Sequence, residues 1–287
     1  MKVSIVTINY NHKEGLRKTV ESVVGQTYRY IEYIVIDGGS TDGSTDVIRL
    51  YEKAISYWIS EPDKGIYNAM NKGVAKATGG YVLFLNSGDY LASPTIIDEV
   101  RNELSSNEDV IFGLLKTYPS NRIGYTDVHL PLTMHDFFKC SPVPHPASFI
   151  KKDLFQEMKY DETLKIVSDW KFFLQAIVFK GCSCKKIEKV ITIFEDEGLS
   201  SSNINFCNDE RIAVLKKLLP TAIFADYFKF TSGMEYKSGN YEMFFSRLRP
   251  YKYGKMVYVI SVLMVRLISV FKKSACFARN YPLKCLI

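Results

Sequence analysis

The N-terminal third of the chain alternates between short apolar runs and segments of helical periodicity. Lys2–Ile8, Tyr33–Ile36, Tyr57–Ser60 and Tyr81–Leu85 are continuous runs of strand length, rich in β-branched and aromatic residues. Continuous apolar strands joined through helices are typical of a parallel sheet that is covered on both faces. This pattern predicts an α/β fold with a doubly wound, mostly parallel sheet and helices on both of its faces.

Each predicted strand ends in a polar cluster, and these clusters indicate where a ligand binds. They are Asn9–Asn11, Asp37–Asp42, Glu61–Lys64 and Asn86–Asp89. In open α/β sheets ligands bind beyond the carboxyl ends of the strands, so the four loops should share one edge of the sheet. The first loop lacks the glycine pattern of dinucleotide-binding folds, which argues against a dehydrogenase.

Four segments, in this order and spacing, carry a family resemblance. Val3–Asn11 (VSIVTINYN), Ile34–Asp42 (IVIDGGSTD) and Tyr81–Asp89 (YVLFLNSGD) resemble family 2 glycosyltransferases of the GT-A fold. Ser60–Gly73 (SEPDKGIYNAMNKG) resembles a subgroup found in bacterial polysaccharide assembly. The resemblance covers roughly residues 1–200. It implies a hexosyltransferase-type enzyme that moves a sugar from a nucleoside diphosphate carrier to an acceptor hydroxyl.

The resemblance also implies a domain organisation. We expect a GT-A catalytic domain over residues 1–205, with a nucleotide-sugar-binding half (1–100) and an acceptor half (101–205). Residues 206–287 should form a helical, basic C-terminal appendage.

The segment Asn86–Asp89 departs from the family's metal-binding pattern. The family usually has Asp-x-Asp at this strand end, followed by one more Asp, whereas this chain has Asn86, Ser87, Gly88 and Asp89. The leaving diphosphate carries concentrated negative charge, which a divalent cation with oxygen ligands stabilises. The resemblance therefore implies Mg²⁺ or Mn²⁺ bound by Asp89, with a carbonyl oxygen from Asn86 and a reduced metal affinity.

The resemblance assigns the base of the donor to the first two loops. Asp37 matches the family's Asp that contacts uracil or an equivalent base, and a carboxylate can accept a hydrogen bond from the imide N–H of uracil. Thr7 and Asn9 belong to a strand end that should cradle the base mainly through its backbone.

Further donor contacts are implied downstream. Asp63 and Lys64 should line the nucleotide pocket, with the Lys64 charge near the diphosphate. Many family members have an Arg near position 70, where this chain has Met70, so Lys64 or Asn71 is expected to compensate. His145, in a proline-dense loop, resembles the segment that contacts the donor sugar or the diphosphate.

Sugar transfer with inversion requires one base, which takes the proton of the acceptor hydroxyl. Asp169 matches the family's catalytic Asp, at the start of a predicted helix with Ser168 as the expected N-cap. A helix N-terminus favours the ionised carboxylate and so lowers its basicity, an effect that burial beside Trp170 should offset. The acidic run at 195–197 is expected to be a solvated turn.

The positive charge is concentrated at the C-terminal end. Residues 246–287 hold nine of the 37 Lys/Arg and none of the 31 Asp/Glu, which leaves 28 basic and 31 acidic residues in the remainder. Met256–Phe271 is apolar with an internal Arg266, and it is shorter than the ~20 residues that span a bilayer. This favours an interfacial membrane helix over 251–273, with a helix packed on the catalytic domain as the alternative. A nucleic-acid partner is not expected, because the rest of the chain has no matching basic face.

The sequence thus predicts an inverting glycosyltransferase with a nucleotide-sugar donor, UDP-sugars being preferred. The acceptor would be a glycan or a lipid-linked glycan of bacterial surface polysaccharide synthesis. The absence of a signal peptide at Met1–Tyr10 favours the cytoplasm, with peripheral contact to the inner face of the cytoplasmic membrane. Two alternatives remain open. One is a nucleotide-binding protein of the same fold with weak or lost metal chemistry, and the other is a sugar nucleotidyltransferase.

Overall fold

The computed structural model describes residues 1–195 and 204–231. These residues belong to two compact units, one spanning Met1–Leu218 and the second starting at Leu219. The strands of the first unit are β1 (Val3–Asn9), β2 (Ile31–Asp37), β3 (Tyr57–Ser60), β4 (Tyr81–Asn86), β5 (Tyr90–Leu91), β6 (Val110–Tyr118), β7 (Ile123–Gly124), β8 (Ser148–Lys151) and β9 (Cys184–Glu195).

The helices follow the same chain order. In the first unit they are α1 (Lys13–Val24), α2 (Ser44–Leu50), α3 (Ile66–Lys76), α4 (Ile96–Leu104), α5 (Met134–Lys139), α6 (Leu154–Glu157), α7 (Ser168–Phe173) and α8 (Ile204–Leu218). A π-helical segment, Leu174–Phe179, continues α7. The described part of the second unit contains the helix α9 (Thr221–Thr231).

The strands form one mixed sheet in the order β3-β2-β1-β4-β8-β6-β9-β5, with β7 paired to β6. The first four strands in this order are parallel, whereas β8 is antiparallel to both β4 and β6. The chain leaves β1 toward β2 and β3 on one side and returns to β4 on the other. The strand order therefore reverses between β1 and β4, and this switch point is where ligands bind in such sheets.

Helices cover both faces of the parallel half because successive side chains of β1 point to opposite faces. Ile5 packs in one hydrophobic cluster with Leu16 and Val20 of α1. Val6 faces α3, where a Cβ added to Gly73 would overlap the Val6 Cγ1 atom. The predicted α/β class with helices on both faces is confirmed.

Buried aromatic residues fix the start of α7. The Trp170 indole donates hydrogen bonds to the carbonyls of Phe137 and Cys140, each at 3.2 Å. The expected N-cap is wrong by one residue, because Ser168 is already helical and Val167 is the N-cap. The Ser168 hydroxyl instead accepts the Asp161 N–H at 2.5 Å and ties the preceding loop to the helix.

The C-terminal region is helical as far as the structure describes it. The helix α8 belongs to the first compact unit, and the boundary expected at residue 205 stays a prediction. Among residues 1–195 and 204–231, no helix has the length and apolar character needed to cross a bilayer. The interfacial helix predicted over 251–273 lies outside the described residues.

Candidate active site

The carboxylate of Asp37 is fully buried at the end of β2, and its hydrogen bonds connect the ends of β1, β2 and β3. It accepts hydrogen bonds from Asn9 Nδ2 (2.7 Å), from the Ser40 backbone and hydroxyl (2.9 and 2.6 Å) and from the Ser60 hydroxyl (2.6 Å). Burial alone would raise the pKa of Asp37, but these hydrogen bonds outweigh it and lower the pKa. Asp37 is thus an ionised anchor of the first two loops, and its direct contact with a base stays a prediction.

Asn9 connects this anchor to the loop after β4. Its amide nitrogen donates to Asp37, and its Oδ1 atom accepts a hydrogen bond from the Ser87 hydroxyl at 2.7 Å. The hydroxyl of Thr7 is completely buried and accepts a hydrogen bond from Tyr33 at 3.0 Å. The Thr7 side chain therefore supports the sheet, and any contribution to a base pocket would come from its backbone.

Asp63 lies at the same edge of the sheet as Asp37. Its Oδ2 atom would be 2.6 Å from a Cβ added to Gly38, the residue after Asp37. The other oxygen accepts the Gly65 N–H at 2.8 Å and shapes the turn into α3. Lys64 is exposed on this turn.

Asn71 connects α3 to a loop that is distant in sequence. Its Nδ2 atom donates to the Tyr160 carbonyl at 3.0 Å and to Glu162 Oε1 at 2.8 Å. Its Oδ1 atom accepts the Tyr160 N–H at 3.1 Å. Both ends of the amide therefore join α3 to the loop before α7, and a contact with the donor stays a prediction.

Two buried oxygen atoms at the end of β4 have no hydrogen-bond partner. They are Asn86 Oδ1 and Asp89 Oδ2, while Asp89 Oδ1 accepts the Glu195 N–H at 3.2 Å. Asp89 is 3% exposed, and burial raises its pKa to about 8, with the Glu195 charge adding to the shift. Leaving such atoms unpaired costs about 1–3 kcal/mol each, which a bound cation would offset.

These oxygens fit a hard divalent cation, which prefers carboxylate and amide oxygens. Within the described residues there is no group of three or more His, Cys, Asp or Glu side chains arranged to hold a metal ion. Magnesium commonly uses one or two protein carboxylates and completes its shell with water and substrate phosphates. The residues present suit that kind of site.

Glu195 was predicted in a solvated turn, and this is wrong for its side chain. The residue ends β9 with a half-buried side chain. Its Oε2 atom lies where a Cβ on Gly88 would be, and it is 3.7 Å from His12 Nε2. No residue pattern near Glu195 predicts this contact, because the contact depends on the pairing of β9 with β5 and β6.

Asp169 lies in the first turn of α7 and is held by Tyr67 of α3. The Tyr67 hydroxyl is 2.9 Å from Asp169 Oδ1 and 2.5 Å from the Ile166 carbonyl. Burial raises the pKa of Tyr67, and the Asp169 charge raises it further, so this hydroxyl keeps its proton. Asp169 is half-buried and is thereby linked to the helix that follows the Asp63 turn.

A cavity of about 100 Å³ opens beside Asp169. Its wall includes His145, Asp169, Trp170 and Phe194, together with Cys207 and Arg211 of α8. Phe194 lines this cavity, and the next residue, Glu195, bonds to Asp89. Consecutive residues of β9 therefore reach both the cavity and the Asp89 site.

His145 is part of the same wall. Its Nε2 atom is 2.8 Å from the Tyr160 hydroxyl, and its ring stacks on Phe84 of β4 at 5.0 Å between centroids. Burial lowers the pKa of His145, and the Asp169 charge opposes this shift without cancelling it. The neutral imidazole is a hydrogen-bonding and packing group, and its contact with a donor stays a prediction.

Comparison with known proteins decides the family. The model of Glycosyl transferase family 2 matches residues 4–197. The chain belongs to this family. A relative described as an uncharacterized glycosyltransferase of Mycobacterium tuberculosis (strain H37Rv) is 35% identical over 206 residues, which cover 69% of this chain and 77% of that protein.

Solved structures of similar fold include two complexes. S. aureus TarS 1–349 in complex with UDP-GlcNAc has a TM-score of 0.62 and 18% identity, and the match covers 80% of this chain and 71% of that one. The mannosyltransferase PcManGT from Pyrobaculum calidifontis, in complex with GDP-Man and Mn²⁺, has a TM-score of 0.59 and 13% identity, with coverages of 93% and 87%. A longer TarS chain gives a TM-score of 0.60 at 16% identity; the match covers 83% of this chain but only 44% of TarS. These likenesses confirm the predicted GT-A fold.

In this family 2 glycosyltransferase the candidate site includes residues from inside and outside the segment that the family model matches. Asp37, Asp63, Asp89 and Asp169 all lie within the matched residues 4–197. The cavity beside Asp169 is completed by α8, which starts after the match ends. This contribution of α8 could not be predicted from the sequence, because α8 has no pronounced apolar face.

Proposed function

We propose that this family 2 glycosyltransferase is an inverting, metal-dependent hexosyltransferase. It would transfer a sugar from a nucleoside diphosphate sugar, preferably a UDP-sugar, to an acceptor hydroxyl. The observation that carries the proposal is the pair of buried, unpartnered oxygens, Asn86 Oδ1 and Asp89 Oδ2, at the switch point of the sheet. The complexes of the structural neighbours with UDP-GlcNAc, and with GDP-Man and Mn²⁺, support the same assignment.

The donor would bind across the ends of β1, β2 and β4. Asp37 and Asn9 hold the loops that would receive the base, and the exposed Lys64 would lie near the diphosphate. Asp89 and Asn86 would hold Mg²⁺ or Mn²⁺. When bound there, the cation supplies positive charge that stabilises the diphosphate as a leaving group.

The transfer step would use Asp169 as the base. Its carboxylate takes the proton of the acceptor hydroxyl while the acceptor oxygen forms a bond to the anomeric carbon. The bond from that carbon to the diphosphate oxygen breaks, the nucleoside diphosphate leaves with the electron pair, and the anomeric configuration inverts. Tyr67, 2.9 Å from Asp169, keeps the carboxylate oriented toward the cavity that would receive the acceptor.

We extend the proposal to the acceptor and its location. A glycan or lipid-linked glycan of surface polysaccharide synthesis, reached on the inner face of the cytoplasmic membrane, would explain a basic segment at 251–273. Vesicles with anionic lipid should sediment the full chain, and Lys272→Glu with Lys273→Glu should reduce the bound fraction severalfold. Equal sedimentation of both proteins would contradict the membrane contact.

A donor screen tests the catalytic proposal. Thermal shifts are measured for UDP-, GDP- and dTDP-sugars with and without Mn²⁺, and donor consumption is followed in parallel. A Mn²⁺-dependent shift with a UDP-sugar is expected, and Asp89→Asn should abolish its Mn²⁺-dependent part. Asp46→Asn, at an exposed aspartate of α2, is the matched control. If the nucleotide binds equally well with and without Mn²⁺ and no donor is consumed, a non-catalytic nucleotide-binding protein would be favoured instead.

A further inference from the structure

We propose that Glu195 supplies the second carboxylate of the metal site and takes the place of a side chain that is missing at position 88. Glu195 would then be a direct ligand of the donor-bound cation, although it lies far from the strand-end motif in sequence. The inference rests on the proposed function, because it names a ligand of the same site.

The backbone geometry at Gly88 carries the inference. Gly88 has a φ of +105° and no side chain, and an added Cβ would overlap Glu195 Oε2. The space in which a residue-88 side chain would begin is therefore filled by a carboxylate from β9. The same added Cβ would be 3.1 Å from His12 Cε1, so the loop before α1 also closes on this position.

Glu195 is connected directly to the buried carboxylate. Its backbone N–H donates to Asp89 Oδ1 at 3.2 Å, while Asp89 Oδ2 has no partner and Asp89 is 3% exposed. Asn86 Oδ1, at the end of β4, is a second buried acceptor without a donor. The pairing of β5 with β9 fixes this arrangement, since Tyr90, the residue after Asp89, pairs with Ile193.

The oxygen atoms at this position also suit a cation. The Asp89 and Glu195 carboxyl groups are brought to the same site by the hydrogen bond from the Glu195 N–H to Asp89 Oδ1. A basic group, His12, also lies nearby, with its Nε2 atom 3.7 Å from Glu195 Oε2 and its side chain 45% exposed. A divalent cation bound by both carboxylates and Asn86 would satisfy both unpartnered oxygens.

This set of ligands makes metal binding depend on the nucleotide. Three protein oxygens are fewer than the about six that Mg²⁺ requires, so diphosphate oxygens and water must supply the rest. Mn²⁺ should therefore bind weakly to the protein alone and much more tightly in the presence of UDP.

Mn²⁺ binding measured by electron paramagnetic resonance tests the inference in the full chain. Free Mn²⁺ is titrated with wild type, Glu195→Gln and Glu188→Gln, each with and without saturating UDP. Glu188 lies on the same strand with a 71% exposed side chain and serves as the matched control. Outer-shell partners alone change metal affinity by about 10- to 100-fold, so loss of a direct ligand should weaken Mn²⁺ binding by at least about tenfold.

The possible outcomes separate the inference from the proposed function. UDP-dependent Mn²⁺ binding that is equal in wild type and Glu195→Gln would overturn the role of Glu195 and leave the proposed function intact. Wild type that binds no Mn²⁺ with UDP would overturn the metal-dependent function itself.

Two controls keep the result interpretable. UDP affinity without metal should be the same in all three proteins, which shows that the fold and the nucleotide loops are preserved. Glu195→Asp keeps the charge and should bind Mn²⁺ more tightly than Glu195→Gln. Equal affinities of these two variants would show that the Glu195 carboxylate does not bind the cation.

Discussion

Glu210 of α8 is predicted to stabilise the loop that presents Asp169. Its carboxylate accepts the backbone N–H groups of Lys165 (2.8 Å), Ile166 (2.9 Å) and Val167 (3.1 Å). These groups immediately precede α7, and Asp169 follows in its first turn. Glu210→Ala removes all three hydrogen bonds at once, so it should destabilise the folded protein.

The expected magnitude follows from these contacts. A hydrogen bond to a charged group contributes about 1.5–3 kcal/mol, but three donors share one carboxylate here, and water can reach part of the loop. We expect the free energy of unfolding to fall by about 2–3 kcal/mol. The turnover number should fall as well, because the turn that orients Asp169 loses its support.

Urea unfolding compares Glu210→Ala with Asp209→Ala, which removes an exposed carboxylate from the neighbouring position of α8. The control should change stability by no more than about 0.5 kcal/mol. Equal stabilities of the two variants would refute the reasoning, because the three hydrogen bonds would then contribute nothing measurable.

Two further predictions concern Glu32 and Tyr67. Burial alone would raise the pKa of Glu32, but hydrogen bonds from Lys2, Ser4 and Thr78 lower it from 4.5 to about 2. The ionised carboxylate should therefore add about 3 kcal/mol to the free energy of unfolding above pH 4.5, and this contribution should be lost as the pH falls toward 2. The stability difference between wild type and Glu32→Gln should shrink across that window in urea unfolding, and a difference independent of pH would contradict the prediction. Tyr67→Phe removes the hydroxyl beside Asp169 and should lower the turnover number about fivefold with little change in the KM of the donor, since one orienting hydrogen bond is worth about 1 kcal/mol. An unchanged turnover number would show that this hydroxyl does not orient the base.

The parallel half of the fold could be predicted from sequence because its strands are buried on both faces. Such strands are continuous apolar runs, and the polar residues that follow them mark the edge where they end. The sequence pattern predicts Asp37 and Asp63 at this edge, and the structure brings the Asp63 carboxylate next to Gly38, the residue after Asp37. The family membership and the α/β class are confirmed.

The second half of the sheet was less predictable. The central strand β6 (Val110–Tyr118) was not predicted, and its register with β9 shifts on both sides of Leu114. A bulge of this kind breaks the alternation from which strands are recognised. Gly113 also lies in this strand, where a Cβ would overlap Ile191 Cγ1.

Side chains that act through tertiary contacts could not be assigned from local patterns. Glu195 stands in an acidic run that is typical of surface turns, and only the pairing of β5 with β9 brings it to Gly88. The Asn71 amide is bound by the Tyr160 backbone from a distant loop, a contact that no pattern near Asn71 predicts, and its contact with the donor stays a prediction. The sequence gives the chemical type of the side chain at each of these positions, but it does not show which distant residues that side chain contacts.

Replacement of the proposed base tests the central claim most directly. Asp169→Asn keeps the size of the side chain and removes its ability to accept the acceptor proton. Donor consumption in the presence of acceptor should fall by about 10²- to 10⁴-fold, while UDP affinity measured by calorimetry stays near that of wild type. Turnover that persists together with a loss of UDP affinity would place Asp169 in the nucleotide site and contradict the account.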